Sequence, residues 1–127
     1  MAVRQARSQA VDAYVAQAPE EQRAALEHLR ETIRRHLPHT EEQLGKHGFA
    51  LYTLDGEWVA GFATRKKGPM LYLMLQEILD EHEPALGRLR SGRSCVEWKA
   101  SRTLSLDELD ALAQRMLEQA AQLRPAP

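Results

Sequence analysis

The chain has 127 residues, 43% hydrophobic and 28% charged, enough apolar material for one core without metal or disulfide staples and far from a disordered composition. Its 17 Lys and Arg stand against 18 Asp and Glu, a formal net charge of −1, which gives no general attraction to nucleic acid or anionic lipid. Cys95 is the single cysteine, so an internal disulfide is excluded and a reducing compartment is the natural expectation.

No stretch approaches the roughly 18 apolar residues that span a membrane. Met1 to Arg7 has no apolar run of signal-peptide length. We therefore expect a cytoplasmic chain with no membrane partner. The expectation is one domain over 1–127, with its core at about 8–122 and tails at 1–7 and 123–127.

Ser8 is placed to cap a first helix, whose apolar face is Val11, Tyr14, Val15 and Ala18. Pro19 with Glu20 and Glu21 suits the start of a second helix. Leu26, Leu29, Ile33 and Leu37 continue its apolar stripe, and Pro38 ends it. Arg23, Glu27, Arg30, Glu31 and Arg34 read as the solvated face. Thr40-Glu41-Glu42-Gln43 has the form of a capping box and predicts one further helical turn.

The pattern then changes. Gly48 to Leu54 and Glu57 to Thr64 read as strands around Asp55-Gly56, the preferred two-residue hairpin turn. Arg65-Lys66-Lys67-Gly68 turns the chain into a third strand, Pro69 to Leu75. In the second strand Trp58, Ala60 and Phe62 alternate with Val59, Gly61 and Ala63, so both faces are apolar. A strand of this kind is covered on both sides, by helices, a ligand or a partner. Gln76 to Leu89 reads as helix broken at Pro84. Ser94 to Lys99 is a fourth strand, and Ser105-Leu106-Asp107-Glu108 is a capping box opening a C-terminal helix. The predicted fold class is α+β: an antiparallel sheet of four to five strands around a three-stranded meander, with an N-terminal helical pair, a middle helix and a C-terminal helix packed on it.

Three segments carry a resemblance to a known family. They are Val11-Asp12-Ala13-Tyr14-Val15 with Pro19-Glu20, the hairpin Phe49 to Ala63, and Gly92-Arg93-Ser94-Cys95-Val96-Glu97-Trp98-Lys99. In order and spacing, over roughly Val11 to Gln119, the chain resembles the YdhG-like family of small bacterial domains. It departs at Gly48-Phe49-Ala50, where many members have Gly-x-Pro. The resemblance implies an antiparallel sheet with helices on it. Through one member, described as a frataxin-like iron chaperone, it also implies iron as an alternative cofactor.

The residues offer several candidate sites. Iron favours oxygen ligands, and Glu77 and Glu81 lie one helical turn apart; the plainer reading is a solvated helix start. The five histidines form no zinc pattern, and packing or hydrogen bonding is their expected role. Cys95 has Arg93 two residues before it but no acid or histidine completing a catalytic unit, so a packed thiol is preferred over a nucleophile. Arg65-Lys66-Lys67 with Arg88, Arg90 and Arg93 suggests a basic patch for an anionic ligand, with Tyr52, Trp58, Tyr72 and Trp98 to supply stacking, yet charged hairpin tips are ordinary, those aromatics can equally fill a core, and nucleic acid is not the expected partner.

The sequence thus leads to a binding or accessory domain rather than an enzyme, with no cofactor required. The uncovered sheet face, at His47, Tyr52, Trp58, Tyr72 and Cys95, is expected to hold a small-molecule ligand or, as a homo-oligomer, another protomer. The alternatives are an iron-binding chaperone using Glu77 and Glu81, and a thiol-dependent enzyme.

Overall fold

A computed structural model describes residues 6–127. The part of the expected N-terminal tail at 1–5 lies outside the described residues. Arg7, also placed in that tail by the sequence, is instead tied down by Glu31, Glu27 and Asp12.

Helix α1 spans Gln9–Ala16, and the Ser8 hydroxyl accepts from the Val11 amide at its start. Pro19 precedes α2, Glu20–His36. The sheet consists of β1 Glu41–Leu44, β2 Ala50–Leu54, β3 Glu57–Arg65, β4 Gly68–Leu73 and β5 Cys95–Glu97. Its order is β1-β2-β3-β4-β5, with every neighbouring pair antiparallel. Between β4 and β5 the chain forms α3 Gln76–Glu81, α4 Glu83–Leu86 and a 3₁₀ turn, Gly87–Leu89. The break falls beside Pro84, whose ring cannot sit inside a helix. Helix α5, Leu106–Leu123, opens on the Ser105/Glu108 capping box in full. The fold is α+β, as the pattern predicts, and no helix of the described residues is long and apolar enough to cross a membrane.

The Asp55-Gly56 turn has φ of 53° and 80°, the left-handed pair that matches strand twist in a two-residue hairpin. Two residues beyond it the register breaks. Tyr52 faces Ala60, but Thr53 faces Trp58, so Val59 is an extra residue and β3 is bulged there. Strict alternation puts Trp58 on the face of Ala60 and Phe62. The bulge turns it to the other face, because one inserted residue inverts the side-chain period.

The helices all contribute to one core. Val11, Leu26, Ile33, Leu109 and Met116 pack with Ala50, Tyr52, Phe62, Leu71, Leu73 and Val96 from one face of the sheet. Trp98 joins the same core at 6% exposure. The second face forms a smaller cluster of Ala63, Met70 and Tyr72, with Phe49, Trp58, Met74 and Cys95 packed on it. Among the described residues no helical residue belongs to that cluster.

Two sequence expectations fail at one place. Thr40 to Gln43 does not start a helical turn. The Thr40 hydroxyl donates back to the Leu37 carbonyl at 2.7 Å instead of capping forward, and Glu42 pairs within β1 opposite Tyr52. Nor are Arg30 and Arg34 on a solvated face: they are 1% and 5% exposed. Arg30 reaches Glu42 through Nε at 3.0 Å and Nη2 at 2.7 Å, and Asp12 through Nη1 at 2.7 Å. Tyr52 donates its hydroxyl to Glu42 Oε2 at 2.6 Å, and the Ser8 amide donates to Oε1 at 2.8 Å. A buried bidentate pair of this kind is tolerable because every lone pair is used.

The titration of these groups follows. Burial alone would raise the Glu42 carboxyl, but hydrogen bonds from Arg30, Tyr52 and Ser8 prevail and lower it from 4.5. Burial and the Glu42 charge push the Tyr52 hydroxyl well above the usual tyrosine value. Because the folded-state carboxyl of Glu42 titrates below its unfolded value, its contribution is complete above 4.5 and is lost as pH falls through the lowered folded value. Glu42→Gln should cost about 3 kcal/mol at neutral pH, the lower end for a broken buried pair, since Asp12 still reaches Arg30. Urea midpoints measured from pH 7 downward should show a shallower acid loss for Glu42→Gln than for the wild type; parallel curves would remove Glu42 from the acid response.

Candidate functional site

The strand registers build the second sheet face row by row. Leu51, Gly61, Tyr72 and Cys95 are successive cross-strand partners from β2 to β5. Ala63, Met70 and Glu97 form the next row. The Arg65–Gly68 pair closes that end of β3 and β4.

Gly61 is required at the centre. A Cβ there would lie 2.4 Å from the Ala50 carbonyl oxygen and 3.1 Å from Trp58 Nε1. The Trp58 indole therefore lies over a gap that only glycine leaves. Its N–H donates to the Ala60 carbonyl at 2.7 Å, which fixes the ring. Phe49 stands edge-on to Trp58 at 5.5 Å and to Tyr72 at 4.8 Å between centroids, and Trp58 and Tyr72 are 6.1 Å apart. Three rings at these separations stabilise one another beyond simple area burial. The Arg65 guanidinium lies 4.3 Å above the Phe49 ring centroid, a cation–π contact. Arg65 Nη1 donates to the Gly48 carbonyl at 3.4 Å and the Thr64 carbonyl at 3.1 Å.

Of the residues singled out in the sequence, the structure brings together Trp58, Tyr72 and Cys95. His47 is exposed in the β1–β2 loop, next to Gly48, whose carbonyl Arg65 binds. Tyr52 is not part of the group. It lies in the helix-covered core at 1% exposure, facing Glu42; as the even-numbered neighbour of Leu51 it points through the sheet the other way. Phe49 was missed, and Arg65 was assigned instead to an anion-binding patch at the hairpin tip. Both follow from period two: Phe49 is two before Leu51, and Arg65 is two after Ala63.

Cys95 is half-buried with a free thiol. Burial raises its pKa against the smaller opposing effects of the Ser94 backbone, the Tyr72 hydroxyl and the Arg65 charge. Burial likewise raises the Tyr72 hydroxyl, with Arg65 opposing. Both groups are thus neutral at physiological pH, and the only fixed charge among the three is that of Arg65.

Several of the other candidates are structurally occupied. Glu81 accepts from Gln119 at 2.6 Å and lies 3.1 Å from His82 Nε2, which ties α3 to α5. Glu77 and Glu81 line a shallow depression of about 320 Å³ with Ile78 and Gln119. Among the described residues no group of three or more His, Cys, Asp or Glu side chains is placed to hold a metal. His28 contacts Asp110 at 2.5 Å, His39 the Arg124 carbonyl at 2.7 Å and His82 the Gln119 carbonyl at 2.8 Å. Arg90, assigned by sequence to a basic patch for an anionic ligand, is clamped by Asp80, Glu83 and the Arg93 carbonyl. A groove of about 440 Å³ between α2 and α5 is lined by Glu21, His28, Trp98 and Asp110, but His28 and Gln114 already engage both Asp110 oxygens.

Neither a family model, nor a curated protein, nor a solved structure matches the chain.

The geometry around Cys95 sets its chemistry. A thiol raised by burial carries little thiolate at neutral pH. Cys95 in the folded chain should react with a thiol reagent more slowly than a free peptide cysteine, and the urea-unfolded chain should react at the peptide rate. Cys95→Ala should cost about 1 kcal/mol. Labelling of the folded chain at or above the peptide rate would contradict both the packing and the raised pKa.

Proposed function

We propose that the chain is a non-enzymatic binding domain that holds a small, flat ligand on the second face of its sheet. One observation carries the reading: Phe49, Trp58 and Tyr72 converge on a face to whose cluster no helix contributes among the described residues, around Gly61, where a Cβ would meet the Ala50 carbonyl and the Trp58 indole. Rings already held by neighbours and by a backbone carbonyl offer contact area at little further ordering cost. A few polar groups at the rim, the Tyr72 hydroxyl and the Arg65 guanidinium, suit orientation of a bound molecule.

A neutral thiol without a histidine or carboxylate partner gives no support to the thiol-enzyme reading. The iron-chaperone reading rests on the family resemblance alone, itself a proposal, and Glu77 and Glu81 are its only named ligands. A second copy of the chain on the same face is the competing form of the binding reading, and it makes a different prediction.

Trp98→Phe leaves Trp58 as the single indole, since the chain has 2 tryptophans. In that background, aromatic ligands should shift the emission of Trp58 and raise the melting temperature as a saturable function of concentration. Trp58→Ala should abolish the thermal shift. An emission change that tracks protein concentration without ligand, together with a sedimentation shift to a dimer, would replace the ligand by a second protomer.

A further inference from the structure

Three arginines withdrawn from solvent are paired with carboxylates. Arg30 has Asp12 and Glu42, Arg34 has Glu42, and Arg90 has Asp80 and Glu83. Arg65 is also partly buried, yet among the described residues no carboxylate pairs with it. Its Nη1 donates to two carbonyls, its side chain also hydrogen-bonds the Tyr72 hydroxyl, and its flat face rests on Phe49. Residues 1–5, outside the described part, contain no acid. A guanidinium held by carbonyls and a ring keeps its full charge, and its planar fork is suited to a carboxylate.

The surroundings agree in sign. Lys66 and Lys67 follow Arg65 in the turn, and Lys46 lies in the loop whose Gly48 carbonyl Arg65 binds. The nearest acid on this face by register is Glu97, opposite Met70, and Lys99 lies 3.5 Å from it. Tyr72, 7% exposed, has its hydroxyl within reach of the Arg65 charge.

From this unpaired charge we infer that Arg65 is an anion seat, and that the ligand of the second face is a small organic carboxylate with a flat apolar body. The carboxylate pairs with the guanidinium, while the body lies against Phe49 and Trp58. The inference rests on the binding reading above and adds the chemical class of its ligand.

Three probes of one shape separate the two. Phenylacetate, phenylacetamide and phenethylamine share a ring and differ in charge. Titrated into the Trp98→Phe protein, phenylacetate should bind about tenfold tighter than the amide, the factor that 1.4 kcal/mol provides, and the amine should bind weakest. Arg65→Gln, which keeps a donor toward the Gly48 carbonyl, should bring phenylacetate down to the level of the amide. Arg65→Lys, charged but without the fork, should restore part of the preference. Circular dichroism and melting temperature report whether each variant is folded. Equal binding of acid and amide, or an acid preference that survives Arg65→Gln in a folded variant, would overturn the anion seat and leave the binding domain standing. Absence of binding by all three would overturn both.

Discussion

Arg30 and Glu42 meet in a part of the molecule from which water is excluded, and the chain is organised around their meeting. Arg30 is on α2, Glu42 on β1, Tyr52 on β2, and Asp12 and Ser8 belong to α1 and its cap. Four elements therefore share one set of charge-assisted hydrogen bonds. A charge pair taken out of water is destabilising if any partner is missing, so the arrangement forms as a whole or not at all. It fixes where β1 joins the sheet, and with β1 the register of β2. It also holds α1 over that end of the sheet, where the Tyr14 hydroxyl donates to the Gly48 carbonyl at 2.6 Å and accepts from the Thr64 amide at 2.8 Å.

That tether bears on the far side of the sheet. Gly48 is bound by Tyr14 from the helical side and by Arg65 from the other. The loop carrying Lys46 and His47 is thereby held from both faces. Phe49 follows directly and takes its place against Trp58 and Tyr72. The aromatic group is thus linked through α1 and Tyr14 to the buried ion pair, although the two lie on opposite faces. The Val59 bulge supplies the other condition, because without it Trp58 would point into the helix-covered core already filled by Phe62 and Tyr52.

Much of the fold was legible because local and global preferences agree. Ser8, Ser105 with Glu108, Asp55-Gly56 and Pro84 each specify a local geometry that the finished molecule keeps. The stripe Leu26, Leu29, Ile33 and Leu37 is buried throughout. What was not legible depends on partners distant in sequence. Arg30 and Arg34 read as solvated because charged residues seldom lie inside, and only Glu42 reverses that. Thr40-Glu41-Glu42-Gln43 satisfies a helix-start pattern, yet the demand of Arg30 for a carboxylate draws it into a strand. At the candidate site, Trp58, Tyr72 and Cys95 were found from strand composition, whereas Tyr52 was assigned to the wrong face. Phe49 was recoverable by counting in twos, and the same count moves Arg65 from the anion-binding hairpin tip to which the sequence assigned it onto the aromatic face.

The two margins of the sheet are not alike. Beyond β5 the chain returns along its outer side: Arg90 bridges to Val96, the Ser91 amide donates to the Cys95 carbonyl at 3.1 Å, and Asp80 and Glu83 clamp the arginine in place. A strand from another molecule finds that margin already spoken for. At β1 the sheet has one neighbour and ends on Leu44, 40% exposed. β1 is only four residues long and carries Glu41, Glu42 and Gln43 beside that tip, the short, charged form of edge that discourages pairing with a strand from another molecule.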